Sequence, residues 1–486
     1  MTDAAFPSDF PLEPDRAAMR TMAEVAAGLV ADFVDGLPAA PAVNTDADGA
    51  EALVEALAAP PAEAPAAGGF DQLLDVFREA AAAAIETAGP SYMAYVGGGG
   101  LYTSALAEFV ARGVNRFTGL AAFAPALVAM EESTIRWLAR EFGLPPGSGG
   151  LLTTGGSMAT LVALVAARTD RLDAPGHGLD RGTVYVSAHT HQSMAKAARI
   201  AGVRPDQVRV VPTTGDLRMD AAAAEDLIAA DRAAGRIPFL LVGTAGTTNT
   251  GTVDPLGPLA DLARDQGLWF HVDGAYGGFF HLTPRGRARL AGIERADSLV
   301  LDPHKGLFLP HGTGVVLVRR AASLRRAFGS GGDYLQDVTD GGANGDGDDA
   351  LPDYADLGPE LTRDFRGLRL WLPLHLHGVG AFRATLDEKL DLAALAYDDL
   401  RSDPRLELPW PPDLSTVAFR LAGGDDRQNQ ELLARINATR RVHLSSTRID
   451  GRHVLRLCII SHRTHADRVH EALAIVHAAA KDVAVV

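Results

Sequence analysis

Only four lysines, Lys196, Lys305, Lys389 and Lys481, occur among the 45 basic residues of this chain; the rest are arginine. Where arginine has displaced lysine so thoroughly, a surviving lysine is a candidate for work that an always-protonated guanidinium does not do, chiefly nucleophilic amine chemistry. Lys389 sits in the charged run DEKLDL and Lys481 near the C-terminus, where chance or a surface role suffices. Lys196 and Lys305 remain. Lys305 lies in LVLDPHKGLF (299–308), an apolar run that ends in polar residues. HVDGAYGG (271–278) has the same shape, ending at Asp273 and opening into small residues. A carboxylate at such a strand end, walled by Gly and Ala, can meet a flat ligand at close range, although a DG pair alone reads equally as a turn. LLTTGGSMATLVALVAAR (151–168) places Gly155, Gly156 and Ser157 ahead of an apolar helical run. Bare amides and a hydroxyl at a helix N-terminus bind anions, phosphate above all. The pattern is neither GxxxxGKS/T nor GxGxxG, which disfavours nucleoside triphosphates and dinucleotides. SAHTHQSMAKAARIAG (187–202) carries His189 and His191, and GTAGTTNTGTVDP (243–255) is a further strand end rich in Thr and Gly.

These pieces need a frame that brings strand ends together. From about Gly150 short β-branched runs alternate with Ala/Leu-rich stretches of helical composition, such as Met158–Arg168 and Pro258–Gln266. Strands are predicted at Thr183–Ser187, Val208–Val211, Phe239–Val242, Leu268–Val272, Ser298–Leu301 and Gly314–Val318. That alternation predicts an α/β fold with a mostly parallel central sheet flanked by helices, in which ligands sit beyond the carboxyl ends of the strands. Ahead of it, 17–35 reads as an amphipathic helix, followed by an Ala/Pro/Gly-rich stretch with a short helix around Glu51–Leu57. The run Gly329–Pro352 is dense in Gly and Asp and is expected to be mobile. A long helix then leads into a smaller C-terminal α+β segment with strands at Ser415–Leu421 and His453–Ile460. The expected division is an N-terminal helical segment (1–100), a large domain (101–375, with the mobile loop at about 329–353) and a small domain (376–486).

Composition bounds the function. The 486 residues carry a formal net charge of -16, which argues against nucleic acid or an anionic membrane surface as a partner. The single cysteine, Cys458, forms no internal disulfide, acidic residues precede any apolar run at the N-terminus, and no stretch approaches a spanning helix. A cytoplasmic protein with no membrane partner is expected. The histidines of HTH (189–191), HLH (375–377) and SHRTH lack an acid or cysteine cluster, so no metal is expected.

A lysine for an imine, an aspartate to keep a pyridine nitrogen protonated and a helix N-terminus for a phosphate together describe pyridoxal 5′-phosphate (PLP). At this point TTGGSMATLVALVAAR, HVDGAYGG and DPHK, in this order and spacing, resemble the group II PLP-dependent amino-acid decarboxylases, the aromatic-L-amino-acid and glutamate decarboxylase family, from about Arg20 to Ala474. The resemblance implies PLP-dependent transferase fold type I and a homodimer with its active site at the subunit interface. Carried over by position, it implies that Lys305 rather than Lys196 is the Schiff-base lysine and that Asp273 is the pyridinium partner. His191 would stack on the ring, with Ala275 on the opposite face. Gly156, Ser157 and His304 would hold the phosphate, and Thr247 would lie in the matching strand end. Tyr354, in PDYADLGPELTRDFRGLRLW, would be a loop tyrosine that returns a proton to the substrate Cα. Thr87, Tyr95, Val96, Phe117 and Gly119 would line the substrate pocket, Phe117 and Leu120 from the other subunit. Gly306 and Gly274 depart from the family's usual DPHKW and HVDAAY, and Val96, Thr87 and Gly119 stand where aromatic-specific members carry bulkier groups, so a pocket other than the usual aromatic one is expected. The implied reaction is decarboxylation of an L-amino acid to its amine. Its rivals are oxidative deamination to an aldehyde on the same cofactor, and a silent binding paralogue.

Overall fold

A computed structural model describes residues 12–43, 47–66, 68–173, 178–329 and 350–484. Most of the expected Gly/Asp-rich loop, 330–349, lies outside the described residues. Seven strands form the central sheet: β1 (Gly149–Thr153), β2 (Gly182–Ser187), β3 (Val208–Val211), β4 (Ile237–Thr244), β5 (Trp269–Gly274), β6 (Ser298–Leu301) and β7 (Gly314–Val318). Their order is β1-β7-β6-β5-β4-β2-β3. The neighbours from β3 to β6 run parallel, and β7 runs antiparallel to both β6 and β1. The six predicted strands of this sheet are all present. The seventh, β1, has too little β-branched content in GGLLT to announce itself; it is recruited by pairing Gly149–Thr153 against β7.

Strands such as LLVGT and VVLV are apolar without alternation because both faces are covered. Every residue of β1, β2, β5, β6 and β7 is buried, whereas the edge strand β3 is only partly so. Helix Gly156–Leu172 lies across the sheet, burying Ala159, Val162, Ala163 and Ala166. Register then sets the chemistry. Asp273 pairs with Thr244 on one side and Val300 on the other, so the ends of β4, β5 and β6 come out level.

The long helix Gly367–Arg401 is broken at Gly378, whose φ of 74° only glycine adopts without strain. Sequence periodicity carried straight through this point. Beyond it lies an antiparallel sheet, β10 (Ser445–Ile449), β11 (Arg452–Cys458), β9 (Thr416–Leu421) and β8 (Leu406–Glu407), packed on helices Asp426–Ala438 and Ala466–Ala484. The N-terminal helices Arg16–Gly36 and Gly69–Ala82 bury no residue, although Val25, Val30, Phe33, Leu73 and Phe77 are apolar. Among the described residues no helix is long and apolar enough to cross a membrane.

Candidate active site

A cavity of about 480 Å³ opens beyond the carboxyl ends of β4, β5 and β6. Its wall includes Gly155, Gly156, Ser157, His191, Asp273, Ala275, His304 and Lys305, together with Tyr95 and Val96. Lys196 is exposed on helix Gln192–Ile200 and is not part of that wall.

The anion cradle comes from the turn between β1 and helix Gly156–Leu172. Gly155 precedes the helix at φ 137°, and no side chain among the described residues caps it. The first amides of the helix therefore face the cavity bare, at the positive end of the helix dipole. The Thr153 hydroxyl donates to the Gly155 carbonyl at 3.0 Å and steadies the turn. A methyl group on Gly156 would meet the Asp302 carboxylate at 2.8 and 3.0 Å, so the cradle admits backbone only. His304 donates through Nδ1 to the Thr313 carbonyl at 2.6 Å, and burial lowers its pKa. The neutral ring thus presents the Nε2 lone pair, and Nε2 must take a proton before it can donate to an anion.

Asp273 is buried at the end of β5, where it accepts the Ala275 amide at 3.1 Å. Two residues back on the same strand, His271 is bonded to the Ser298 hydroxyl at 2.8 Å, and burial pushes its pKa down to about 4. The group behind Asp273 is therefore neutral. Lys305 sits in the short helix Pro303–Gly306 with Nζ 2.8 Å from Asp302 Oδ2. His191 caps helix Gln192–Ile200: its Nδ1 accepts the Ser193 amide at 3.2 Å, which assigns the ring proton to Nε2.

Five expected residues are not brought to the wall of this cavity, Thr247 and Tyr354 first among them. Thr247 points into its own turn, where its hydroxyl meets Thr250 Oγ1 at 3.0 Å and accepts the Thr252 amide at 3.2 Å. Its neighbours Thr244, Gly246 and Thr248 line the wall instead, and the Thr244 hydroxyl has no partner among the described residues. Tyr354, expected on the loop as a proton donor, is fully buried, with its hydroxyl donating to Glu132 Oε2 at 3.2 Å and Arg363 lying 4.5 Å over its ring. Burial drives its pKa well up, and the Glu131 and Glu132 carboxylates add to that. The physical reason is packing: two buried carboxylates and a buried guanidinium give the phenol a satisfied seat away from solvent. Tyr354→Phe is expected to cost about 1 kcal/mol of stability, the value of one buried hydrogen bond, and to leave kcat within about twofold. A loop acid would instead cost kcat at least about 100-fold, so denaturation curves and steady-state rates on one variant separate the roles.

Thr87, Phe117 and Gly119 are also off the cavity wall of this single chain; Phe117 packs edge-on to Phe123. Tyr95 does reach the wall, at a non-glycine φ of 52° and with its amide held by Ser445 Oγ at 3.0 Å. The sequence reading missed Asp302, Thr244, Tyr276 and His311. Of these Asp302 was findable, being the first residue of the DPHK run already singled out.

The donor set fits PLP: a bare anion cradle, a lysine amine and a buried carboxylate share one cavity, with Thr244 Oγ1 and Asp302 Oδ1 lacking partners among the described residues. Residues 55–422 match the pyridoxal-dependent decarboxylase conserved domain. The chain is 35% identical over 403 residues to an aromatic-L-amino-acid decarboxylase of Bacillus atrophaeus, covering 82% of each. It is 31% identical to a phenylacetaldehyde synthase of Arabidopsis thaliana, covering 80% of this chain and 81% of that one. Among solved structures, an Oryza sativa TDC with PLP and tryptamine superposes with a TM-score of 0.89 at 28% identity, covering 98% of this chain and 99% of that one.

Proposed function

This chain belongs to the pyridoxal-dependent decarboxylase family, an enzyme that uses PLP to remove CO2 from an amino acid, and from that premise we propose that it converts an aromatic L-amino acid to its amine. The observation that carries the reading is the convergence of Lys305, Asp273 and the Gly156 cradle on one cavity. The aromatic class rests on what the relatives act on, with the ring of Tyr95 on the cavity wall in support; it runs against the expectation from Val96, Thr87 and Gly119, of which Val96 alone reaches that wall.

When bound, PLP supplies the electron sink for the pair left at Cα as CO2 departs. The Gly156 and Ser157 amides would hold its phosphate, joined by His304 once Nε2 is protonated. Lys305 provides the amine that tethers it and is exchanged for the substrate amine. Asp273 would hold a proton on the ring nitrogen, because a buried anion favours the charged form of a base beside it. His191, on the cavity wall in the turn after β2, and Ala275, a small residue on the same wall, would bound the cofactor ring, and the Nε2 proton of His191 would be available to the substrate carbon. Tyr95 and Val96 bound the substrate side chain.

Incubating the purified enzyme with tryptophan, tyrosine, phenylalanine and L-DOPA, against glutamate and 2,4-diaminobutyrate, tests the reading. Stoichiometric CO2 and amine from an aromatic substrate is the expected result; turnover confined to the others refutes the aromatic class. The phenylacetaldehyde synthase relative keeps one alternative in view, since aldehyde, ammonia and peroxide in place of amine would assign the oxidative outcome.

We also propose a homodimer with the active site at its interface. The support is the apolar, unburied faces of helices Arg16–Gly36 and Gly69–Ala82, continued by Phe109 and Val110 of helix Tyr102–Val114. Light scattering that returned the mass of one chain would refute it. Division into segments 1–100, 101–375 and 376–486 is supported by the helix break at Gly378, close to the second boundary. The cytoplasm is the proposed location, in keeping with one buried, unpaired cysteine.

A further inference from the structure

We propose that Asp302 is the acid–base partner of Lys305 in tethering the cofactor: it takes a proton from the Lys305 ammonium so that the amine can attack, and returns a proton to the oxygen that leaves. The proposal rests on the reading of Lys305 given above. Asp302 is 2% exposed and lies on the cavity wall. Its Oδ2 stands 2.8 Å from Lys305 Nζ and 3.7 Å from His304 Nε2, while Oδ1 has no partner among the described residues. The residue precedes helix Pro303–Gly306 but its carboxylate makes no capping bond there; the backbone carbonyl serves the Lys305 and Gly306 amides instead. A buried carboxylate costs stability unless it is used. Among the described residues its charged contacts are Lys305 Nζ at 2.8 Å and, more distantly, His304 Nε2 at 3.7 Å.

The electron count closes. An ammonium has no lone pair, so one N–H bond must break before attack, and the proton passes to Asp302 Oδ2 across the 2.8 Å contact. The freed pair forms the C–N bond to the cofactor's aldehyde carbon, and the carbonyl pair moves onto oxygen. A second nitrogen proton neutralises that oxygen. The proton held on Asp302 then lets it leave as water, while the remaining nitrogen lone pair closes the C=N bond. Asp302 ends as it began, a carboxylate beside a cationic nitrogen, so no other reactant is needed.

Other titratable groups in reach do not take this place. His304, on the same short helix, is already committed through Nδ1 to Thr313. Asp273 from β5, His191 from the turn after β2 and His311 ahead of β7 share the cavity, and none of them makes the contact with Nζ that Asp302 makes. Cys458 on β11 is buried with its thiol pushed up. On the fourth side stands the Gly156 helix N-terminus, which carries no titratable side chain.

Rapid mixing of cofactor-depleted enzyme with PLP, followed by the imine absorbance band, tests the step. Asp302→Asn is expected to slow band formation about 100-fold or more, the ordinary worth of a positioned acid–base group. Equilibrium binding of pyridoxine 5′-phosphate, which has no aldehyde, is expected to be unchanged or tighter, because one anion fewer borders the phosphate. The variant's loading rate is expected to rise more steeply with pH than the parent's, because hydroxide must then do what the carboxylate did, against a shallow profile for the parent enzyme. Asp302→Glu should restore the shallow profile. Loading by Asp302→Asn within about threefold of the parent, or with the parent's pH profile, overturns the proposal. So does a loss of pyridoxine 5′-phosphate binding equal to the loss in rate, which marks a purely architectural residue. An imine band in Lys305→Ala would instead sink the assignment of Lys305, whatever Asp302→Asn does.

Discussion

Lys305→Ala is expected to remove the imine absorbance band of the cofactor-loaded enzyme and to lower kcat by at least about three orders of magnitude, the scale on which a tethered, oriented reactant exceeds a free one. Composition singles the residue out first, since this chain uses arginine almost everywhere and lysine at four positions. Placement does so again: Lys305 lies on the cavity wall, just past the end of β6 and next to the ends of β4 and β5. Without that amine each substrate must condense with an aldehyde that no lysine has activated, and no amine waits to release the product. Lys305→Arg is expected to be equally inactive, because a guanidinium is not a nucleophile at any working pH. Lys196→Ala, on an exposed helical face, should match the parent. A loaded Lys305→Ala enzyme that kept its band, or lost activity less than about tenfold, would transfer the role to another amine.

How far the sequence carried this reading depended on whether a signal was local. Strands β2 to β7 announce themselves through β-branched runs, and the residues at the ends of β5 and β6 follow at fixed short offsets, so Asp273 and Lys305 were legible before any coordinates. The cradle was legible for the same reason, as glycines stand directly ahead of an apolar helix. Contacts between distant segments were not. Tyr354 looks like a loop residue because a Gly/Asp-rich run precedes it. Its seat is made by Glu132, 222 residues away and unsignalled by the sequence around it, together with Arg363 of the same run. Thr247 failed differently: in GTAGTTNTGT each threonine has the same local credentials, and only the turn geometry turns Thr247 inward while leaving Thr244 and Thr248 on the wall. Asp302 stands in plain view, but the DPHK run assigns roles to His304 and Lys305 only. The buried, unpaired oxygen that draws attention to it exists only in three dimensions.

Asp273→Asn separates tethering from electron withdrawal, and its expected signature is the reverse of that for Lys305→Ala: the imine band persists while kcat falls by about 100- to 1,000-fold. Asparagine keeps the shape and can still accept the Ala275 amide that Asp273 accepts at 3.1 Å, so the end of β5 should hold its conformation. What disappears is the charge. At hydrogen-bonding range and an effective dielectric of about 20, a unit charge is worth roughly 4 kcal/mol, or about three pKa units on a base beside it. Without it the ring nitrogen is neutral at working pH, and the pair left at Cα has a poorer sink. The surroundings supply no substitute, since His271, behind Asp273 on the same strand, is held near a pKa of about 4 by burial and carries no charge at neutral pH. The loss should therefore shrink as pH falls and the ring nitrogen regains its proton from solvent. A kcat for Asp273→Asn within about threefold of the parent, at neutral pH and with the band intact, would mean that this carboxylate serves the fold of the strand end and that the ring is polarised by another group.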